Sequence, residues 1–210
     1  MARKSQHAPE TMRRMIVDAA EAIVAEGGLS KLSAREVAQR IGYSPGTLYN
    51  IFENLDEVIL NVEARVLDRL DQRLVSALQA SQDPPEEDLF ALANAYLAFT
   101  QDNPRLWNLL FEHRMPSNRT LPDWYVRKLD GLLRRIEVAL TPYFATSESS
   151  AQSRSARVLW AAVHGIASLS TTGKLSIITA QTAAKLVEHL LRTYLRGLTQ
   201  HGDPELNSPA

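Results

Sequence analysis

At 210 residues, with 45% hydrophobic and 22% charged residues and a net charge of −1, the chain has the balance of a globular protein of one or two domains with a real core. It contains no cysteine, which excludes disulfides, thiolate metal sites and cysteine nucleophiles. No apolar stretch approaches the roughly 18 residues a membrane-spanning helix needs, and the opening MARKSQHAPE leads into no signal-peptide core, so a soluble, cytoplasmic protein is expected.

Residues 1–8 read as a flexible basic arm. Arg3, Lys4, Arg13 and Arg14 face only Glu10 among the first 14 residues, and a phosphate responds to local charge rather than to the total. A first helix is expected from Pro9 to Glu26, with Met12, Ile16, Ala19, Ala20, Ile23 and Val24 on one face and Gly27-Gly28 as its stop.

Ser33 to Phe52 carries a start, a stop and a second start. Ser33 suits an N-cap with Glu36 as its capping-box partner, and Leu32 and Val37 form a hydrophobic staple. Val37, Ala38 and Ile41 lie on one face, and Gly42 suits the left-handed residue that ends a helix. Ser44 then caps a second helix whose first position is Pro45, expected to run to Phe52. In that helix Leu48 and Phe52 face inward, while Ser44, Gly46, Thr47 and Asn50 leave the leading end small and polar. Such an end suits a DNA major groove, where hydroxyls, amides and backbone N–H groups meet phosphates and base edges.

The run Val37-Ala38, Ile41-Gly42, Gly46-Thr47-Leu48-Tyr49 and Phe52 resembles the DNA-binding domain of the tetracycline-repressor-like (TetR/AcrR) transcriptional regulators, over Thr11 to about Ile59. Two positions depart from the pattern: Ile51 stands where the family commonly has His, and Leu55 where it commonly has a backbone-contacting Lys. The resemblance implies an all-α fold, with an N-terminal three-helix helix-turn-helix domain and a larger C-terminal helical domain for effector binding and dimerisation. The expected division is 9–54 for the first and 55–200 for the second, with tails at 1–8 and 201–210. The expected DNA-binding residues are Ser33, Arg35, Tyr43, Ser44, Pro45, Gly46, Thr47, Tyr49 and Asn50, with Thr47 and Tyr43 nearest base edges.

Beyond Asn54, acidic Asp56 and Glu57 suit the first turn of a long helix whose stripe, Ile59, Val62, Val66, Leu70, Leu74 and Leu78, persists for about 20 residues. A lever running from the reader into the rest of the chain is the expectation. After the ASQDPP break, helices are expected over Glu86–Gln101, Leu106–His113 and Trp124–Phe144, then an exposed Ser-rich connection over Thr146–Ser155. Ala156 to about Gly173 is nearly uncharged and rich in small residues, and Thr179–Thr199 carries a broad apolar face. Two such helices suit a four-helix bundle with a second copy, for which Ala161, Gly165, Ser168, Leu186, Leu190 and Tyr194 are the candidate interface. Trp160, His164 and Gly165 are similar to the Trp-His-Gly pattern of one subgroup of C-terminal domains. About nine helices are expected in all.

The resemblance implies a pocket for a small, largely apolar effector, with Tyr96, Trp107, Phe111, Tyr125, Trp160 and His164 as candidates; taken one by one, these side chains read as core. No hydrolase, zincin, P-loop or di-iron motif is present, and Glu112-His113, adjacent on a helix, diverge by about 100°. No catalytic residue, metal or cofactor is expected. The partners expected are an operator duplex, an effector and a second copy of the chain, in a ligand-responsive repressor. A helical protein-binding scaffold and a small helical enzyme remain as alternative readings.

Overall fold

A computed structural model describes residues 8–81, 84, 87–117 and 119–200, with ten α-helices and no strand among them. The expected basic arm lies outside the described residues except for Ala8, as do Pro85 and Glu86 and the expected C-terminal tail.

The chain forms two compact units, one taking the sequence up to Asp68 with Asn103–Val126, the other Arg69–Asp102 with the sequence from Arg127 on. In the first unit α1 (Pro9–Gly27) packs on α2 (Ala34–Ile41) and α6 (Pro104–Glu112), and α2 packs on α3 (Pro45–Tyr49). α1 ends where Gly28 turns to φ 78°, and α2 ends where Gly42 takes φ 74°, conformations that cost glycine little. Ser33 caps α2 by accepting the Glu36 N–H at 3.1 Å. Ile16, Val24, Val37, Leu48 and Phe52 are almost fully buried and form the core of this unit with Val58 and Val62 of α4 (Leu55–Ala80).

Three helices this short bury little on their own, and polar ties extend the core to α4. The Arg13 guanidinium lies 4.3 Å from the Phe52 ring centroid and pairs with Glu57 at 2.7 Å, joining α1, the turn after α3 and the start of α4. Asn54 Oδ1 accepts the Glu57 N–H at 2.9 Å and so caps α4. Arg105 donates to the carbonyls of Ala25 and Glu26, where a cation suits the negative end of α1.

In the second unit α5 (Asp88–Asp102), α8 (Ser149–Thr171) and α10 (Ala183–Gln200) pack on one another. Leu89, Leu92, Phe99, Leu159, Ala167, Val187 and Leu191 are buried there. Arg135 of α7 (Asp123–Ala139) grips Asp71 through two hydrogen bonds of 2.5 and 2.7 Å, and Arg73 pairs with Asp102 at 2.7 Å.

Several boundaries differ from the sequence expectation, and one short helix adds to it. α3 stops at Tyr49, because after it the chain tightens: Ile51 N–H bonds Leu48 O at 3.0 Å in an i→i−3 turn. α7 ends at Ala139 rather than Phe144, since Pro142 has no N–H for a further helical bond and disfavours helix in Thr141. α8 begins at Ser149, inside the stretch expected to be a connection. Tertiary hydrogen bonds override the modest helix propensity of serine there: Gln152 donates to Glu137 O at 2.5 Å, and Ser153 to Glu137 Oε1 at 2.7 Å. α9 (Leu175–Ile178) is a single extra turn too short to leave a periodic signal.

Candidate nucleic-acid interface and effector cavity

The helix-turn-helix divides cleanly by exposure. Beneath it lie Val37 and Leu48 at 0% exposure and Phe52 at 1%. Outward, Ser33, Arg35, Ser44, Pro45, Gly46, Tyr49 and Asn50 are exposed, and Tyr43 and Thr47 are half-buried. All nine residues singled out from the sequence are thus exposed or half-buried, while Val37, Leu48 and Phe52 of the same stretch are buried. Tyr49, the last residue of α3, is 52% exposed, so its ring is not core. Ser44 occupies the N-cap position, but its Oγ lies 3.3 Å from Thr47 Oγ1 rather than on a backbone N–H, which pre-positions two hydroxyls side by side.

Charge here is partly spoken for. Arg40 of α2 makes a two-pronged bond to Glu26 of α1 at 2.9 and 2.5 Å. That hydrogen bond, with a smaller charge attraction beside it, holds the Glu26 carboxyl below its ordinary range. Arg13, counted with the basic front of the chain, is held by Phe52 and Glu57 and serves the fold.

The second unit holds an apolar cavity of about 60 Å³. Five helices wall it: α4 through Leu70 and Leu74, α5 through Leu92, Ala93 and Tyr96, α7 through Leu132 and Ile136, α8 through Leu159, Trp160 and Val163, and α10 through Leu191. No charged side chain lines it. Of its wall residues Tyr96 and Trp160 carry polar atoms; the Tyr96 hydroxyl lies 3.0 Å from His164 Nδ1, and the Trp160 ring stacks on the imidazole at 5.5 Å and 10°. Burial pushes the Tyr96 phenol up and the His164 imidazole down, so both are neutral at neutral pH.

Of the six pocket candidates, the structure therefore brings Tyr96, Trp160 and His164 together. It places the other three in the first unit: Trp107 is 2% exposed and packs on Phe111 with centroids 5.0 Å apart, and Tyr125 is buried with its hydroxyl on Glu63. The aliphatic wall left no signal in the sequence, because a leucine facing a cavity and a leucine facing core share one periodicity. His113 lies with Asp56 and Glu63 in the first unit, and His189 is exposed.

On α8, Ala161 and Gly165 are exposed and Ser168 half-buried; on α10, Leu186, Leu190 and Tyr194 are half-buried. A methyl built at Gly165 would meet nothing within 4 Å. The other faces of the same helices, through Leu159, Val163, Val187 and Leu191, are buried within the chain. Among the described residues no helix is long and apolar enough to cross a membrane.

Comparison with known proteins gives this arrangement its family. Residues 16–62 match a family model described as bacterial regulatory proteins, tetR family, and residues 89–194 one described as tetracyclin repressor-like, C-terminal domain. The HTH-type transcriptional repressor KstR of Rhodococcus jostii (strain RHA1) is 33% identical over 69 residues, 33% of this chain and 32% of that protein. KstR of Mycolicibacterium smegmatis is 31% identical over 94 residues, 45% of this chain and 46% of that protein, so the match spans less than half of each curated relative. A crystal structure of the transcriptional regulator FadR from Bacillus subtilis in complex with stearoyl-CoA shares the fold, with a TM-score of 0.60 and 18% identity over 88% of this chain and 98% of that one. The first model takes in the reader surface built on Val37, Leu48 and Phe52, the second takes in most of the helices that wall the cavity and spans half the chain, and this protein accordingly belongs to the tetR family of bacterial regulatory proteins.

Proposed function

We propose that the protein is a ligand-responsive transcriptional repressor that works as a homodimer in the cytoplasm and is released from a two-fold symmetric operator by a small, largely apolar effector. The observation that carries this reading is the exposure pattern of the helix-turn-helix, in which nine residues, most of them small, polar or basic, are exposed or half-buried while Val37, Leu48 and Phe52 are buried. Residues 9–54 act as the reader and 55–200 as the effector-binding and dimerising part. Thr47 and Tyr43 meet base edges, while Ser33, Arg35, Ser44, Tyr49 and Asn50 meet phosphates and fix register. The two readers of a dimer stand about 34 Å apart, or a multiple of it.

The cavity is the effector site. Its aliphatic wall and lack of charge suit a hydrocarbon body, with any charged group kept outside, and the FadR structure holding stearoyl-CoA shows the same fold binding a ligand of that kind. Leu70 and Leu74 bring α4 into the cavity wall, and the same helix starts at Leu55, the residue after the reader. A ligand preferring an α4 position unsuited to the operator shifts the population, and tenfold release needs about 1.4 kcal/mol of coupling.

The direct test is titration of a labelled duplex from the region upstream of the protein's own gene, at several salt concentrations. Binding that weakens linearly in log–log form is expected, with a slope of about −0.9 per neutralised phosphate. Absence of binding to any such duplex at low salt would sink the proposal. Tyr49→Phe removes one exposed hydroxyl and is expected to weaken operator binding roughly two- to tenfold, the worth of about 0.5–1.5 kcal/mol per hydrogen bond, without lowering thermal stability. Unchanged affinity would remove Tyr49 from the contacts.

Gly165→Leu tests the dimer. Within one chain a Cβ at this exposed position meets nothing within 4 Å and leucine improves helix propensity, so the protomer is expected to stay folded. Sedimentation is expected to show dissociation at concentrations where the wild type is dimeric; an intact dimer would move the interface elsewhere.

A further inference from the structure

We propose that His113 is a buried imidazolium clamped between two carboxylates of α4, and that its proton locks α4 to the Asn103–Val126 segment, making the cohesion of the first unit depend on pH. His113 is the residue after α6, and its side chain is 6% exposed. Its Nδ1 lies 2.9 Å from Glu63 Oε1 and its Nε2 3.3 Å from Asp56 Oδ1. Asp56 and Glu63 are seven residues apart, two turns of one helix, and so share a face. An ionised carboxylate only accepts hydrogen bonds, so a ring with an acceptor at each nitrogen is satisfied only when both nitrogens carry hydrogen, as in the cation. A neutral ring would turn a lone pair on one of the two oxygens.

Glu63 makes the clamp consequential. The residue is 2% exposed, and besides His113 it receives the hydroxyl of Tyr125 from the first turn of α7. A buried carboxylate without a cation is costly, and several other basic side chains of the surrounding elements are engaged elsewhere. Arg13 pairs with Glu57 at 2.7 Å, Arg65 with Asp18 at 2.6 Å and Glu21 at 3.4 Å, and Arg119 with Glu53 at 2.8 Å. Arg105 sits on the carbonyls of Ala25 and Glu26, and Glu112 and Arg114, beside His113 in sequence, are exposed. Among these side chains it is His113 whose ring nitrogen reaches Glu63, at 2.9 Å.

Burial by itself drives the imidazole down, but the hydrogen bond and charge of Glu63, then those of Asp56, outweigh it and hold His113 above its ordinary 6.5. A histidine raised on folding contributes stability that is fully present below its unfolded value and is lost as pH rises through its folded value. The first unit therefore loosens on the alkaline side, with α6 and the first turns of α4 losing their mutual anchor. This inference does not depend on what the outer surface or the cavity binds.

The test uses the full chain with isotope-labelled histidine rings, followed by NMR from roughly pH 6 to 9, together with backbone hydrogen exchange over the same range. His113 is expected to titrate above an ordinary histidine with both nitrogens protonated at pH 7. Exchange in 104–112 and 55–68 should then accelerate about tenfold beyond the intrinsic effect of base as pH passes that midpoint, while 88–102 does not. Glu63→Gln should lower the midpoint, Asp56→Asn should lower it less because Asp56 is farther away and more exposed, and His113→Gln should abolish the pH dependence of exchange. If His113→Gln does not fold, the two carboxylate variants carry the test. A neutral His113 ring at pH 7, or protection in 104–112 that is indifferent to pH in the wild type, overturns the proposal.

Discussion

Phe52→Ala should destabilise the protein by about 3–5 kcal/mol, a large share of the roughly 5–15 kcal/mol by which a domain is stable. The ring is 1% exposed and closes the floor of the helix-turn-helix with Leu48 and Val37, and the Arg13 guanidinium lies over it at 4.3 Å. Truncation leaves a cavity where a five-residue helix has few other contacts, and it removes a cation–π contact worth about 0.5–1 kcal/mol. Arg13 retains Glu57 but loses the surface that fixes its direction. Urea denaturation followed by circular dichroism measures the loss, and DNA affinity should fall with it because α3 is no longer held. Phe52→Leu, which keeps most of the volume, should cost far less. A loss under 1 kcal/mol for the alanine variant would mean that α3 is anchored by something other than this floor.

Under the proposed function, Ala93→Leu should leave DNA binding intact and abolish the response to the effector. Ala93 is 7% exposed and lines the cavity, so leucine places three more carbons into a space of about 60 Å³. Overpacking costs about 1–3 kcal/mol in a filled core, but here the added carbons enter vacant apolar space and gain burial, so the melting temperature should change little. The ligand, in contrast, loses the room its chain needs. Displacement of a fluorescent apolar probe from the cavity measures the effect, with at least about a tenfold loss of probe affinity expected, or 1.4 kcal/mol. Operator affinity should stay within about twofold of wild type. Retained probe binding would place the effector site elsewhere, and loss of operator binding would show that the cavity wall is structural.

The two variants probe elements of different legibility. Ser33 bonds Glu36 three residues on, Gly42 ends the helix it follows, and Val37, Leu48 and Phe52 announce their inward face by spacing. Each is a local relation, so the reader could be drawn from the residues before any coordinates. The Ser-rich start of α8 shows where such reasoning fails, because Gln152 and Ser153 are drawn into helix by Glu137, which sits on another element. The aromatic candidates show the same limit. Tyr96 and Trp107 look alike in a helical stripe, yet one lines the cavity and the other packs on Phe111 in the other unit.

Sequence by itself determined most of the helices, the Ser33 cap and Gly42 stop of α2, the inward faces of the helix-turn-helix and the apolar face of the last helix, because these depend on spacings of one to four residues that the backbone geometry converts directly into faces and ends. Tertiary structure alone decided that Arg13 belongs to Phe52 and Glu57, that Tyr96 meets His164 across 68 residues, that His113 meets Glu63 across 50, and that five helices leave a cavity between them. Periodicity states that a side chain points inward; which partner it finds there depends on how whole helices pack, and that information is spread over the chain rather than written beside the residue.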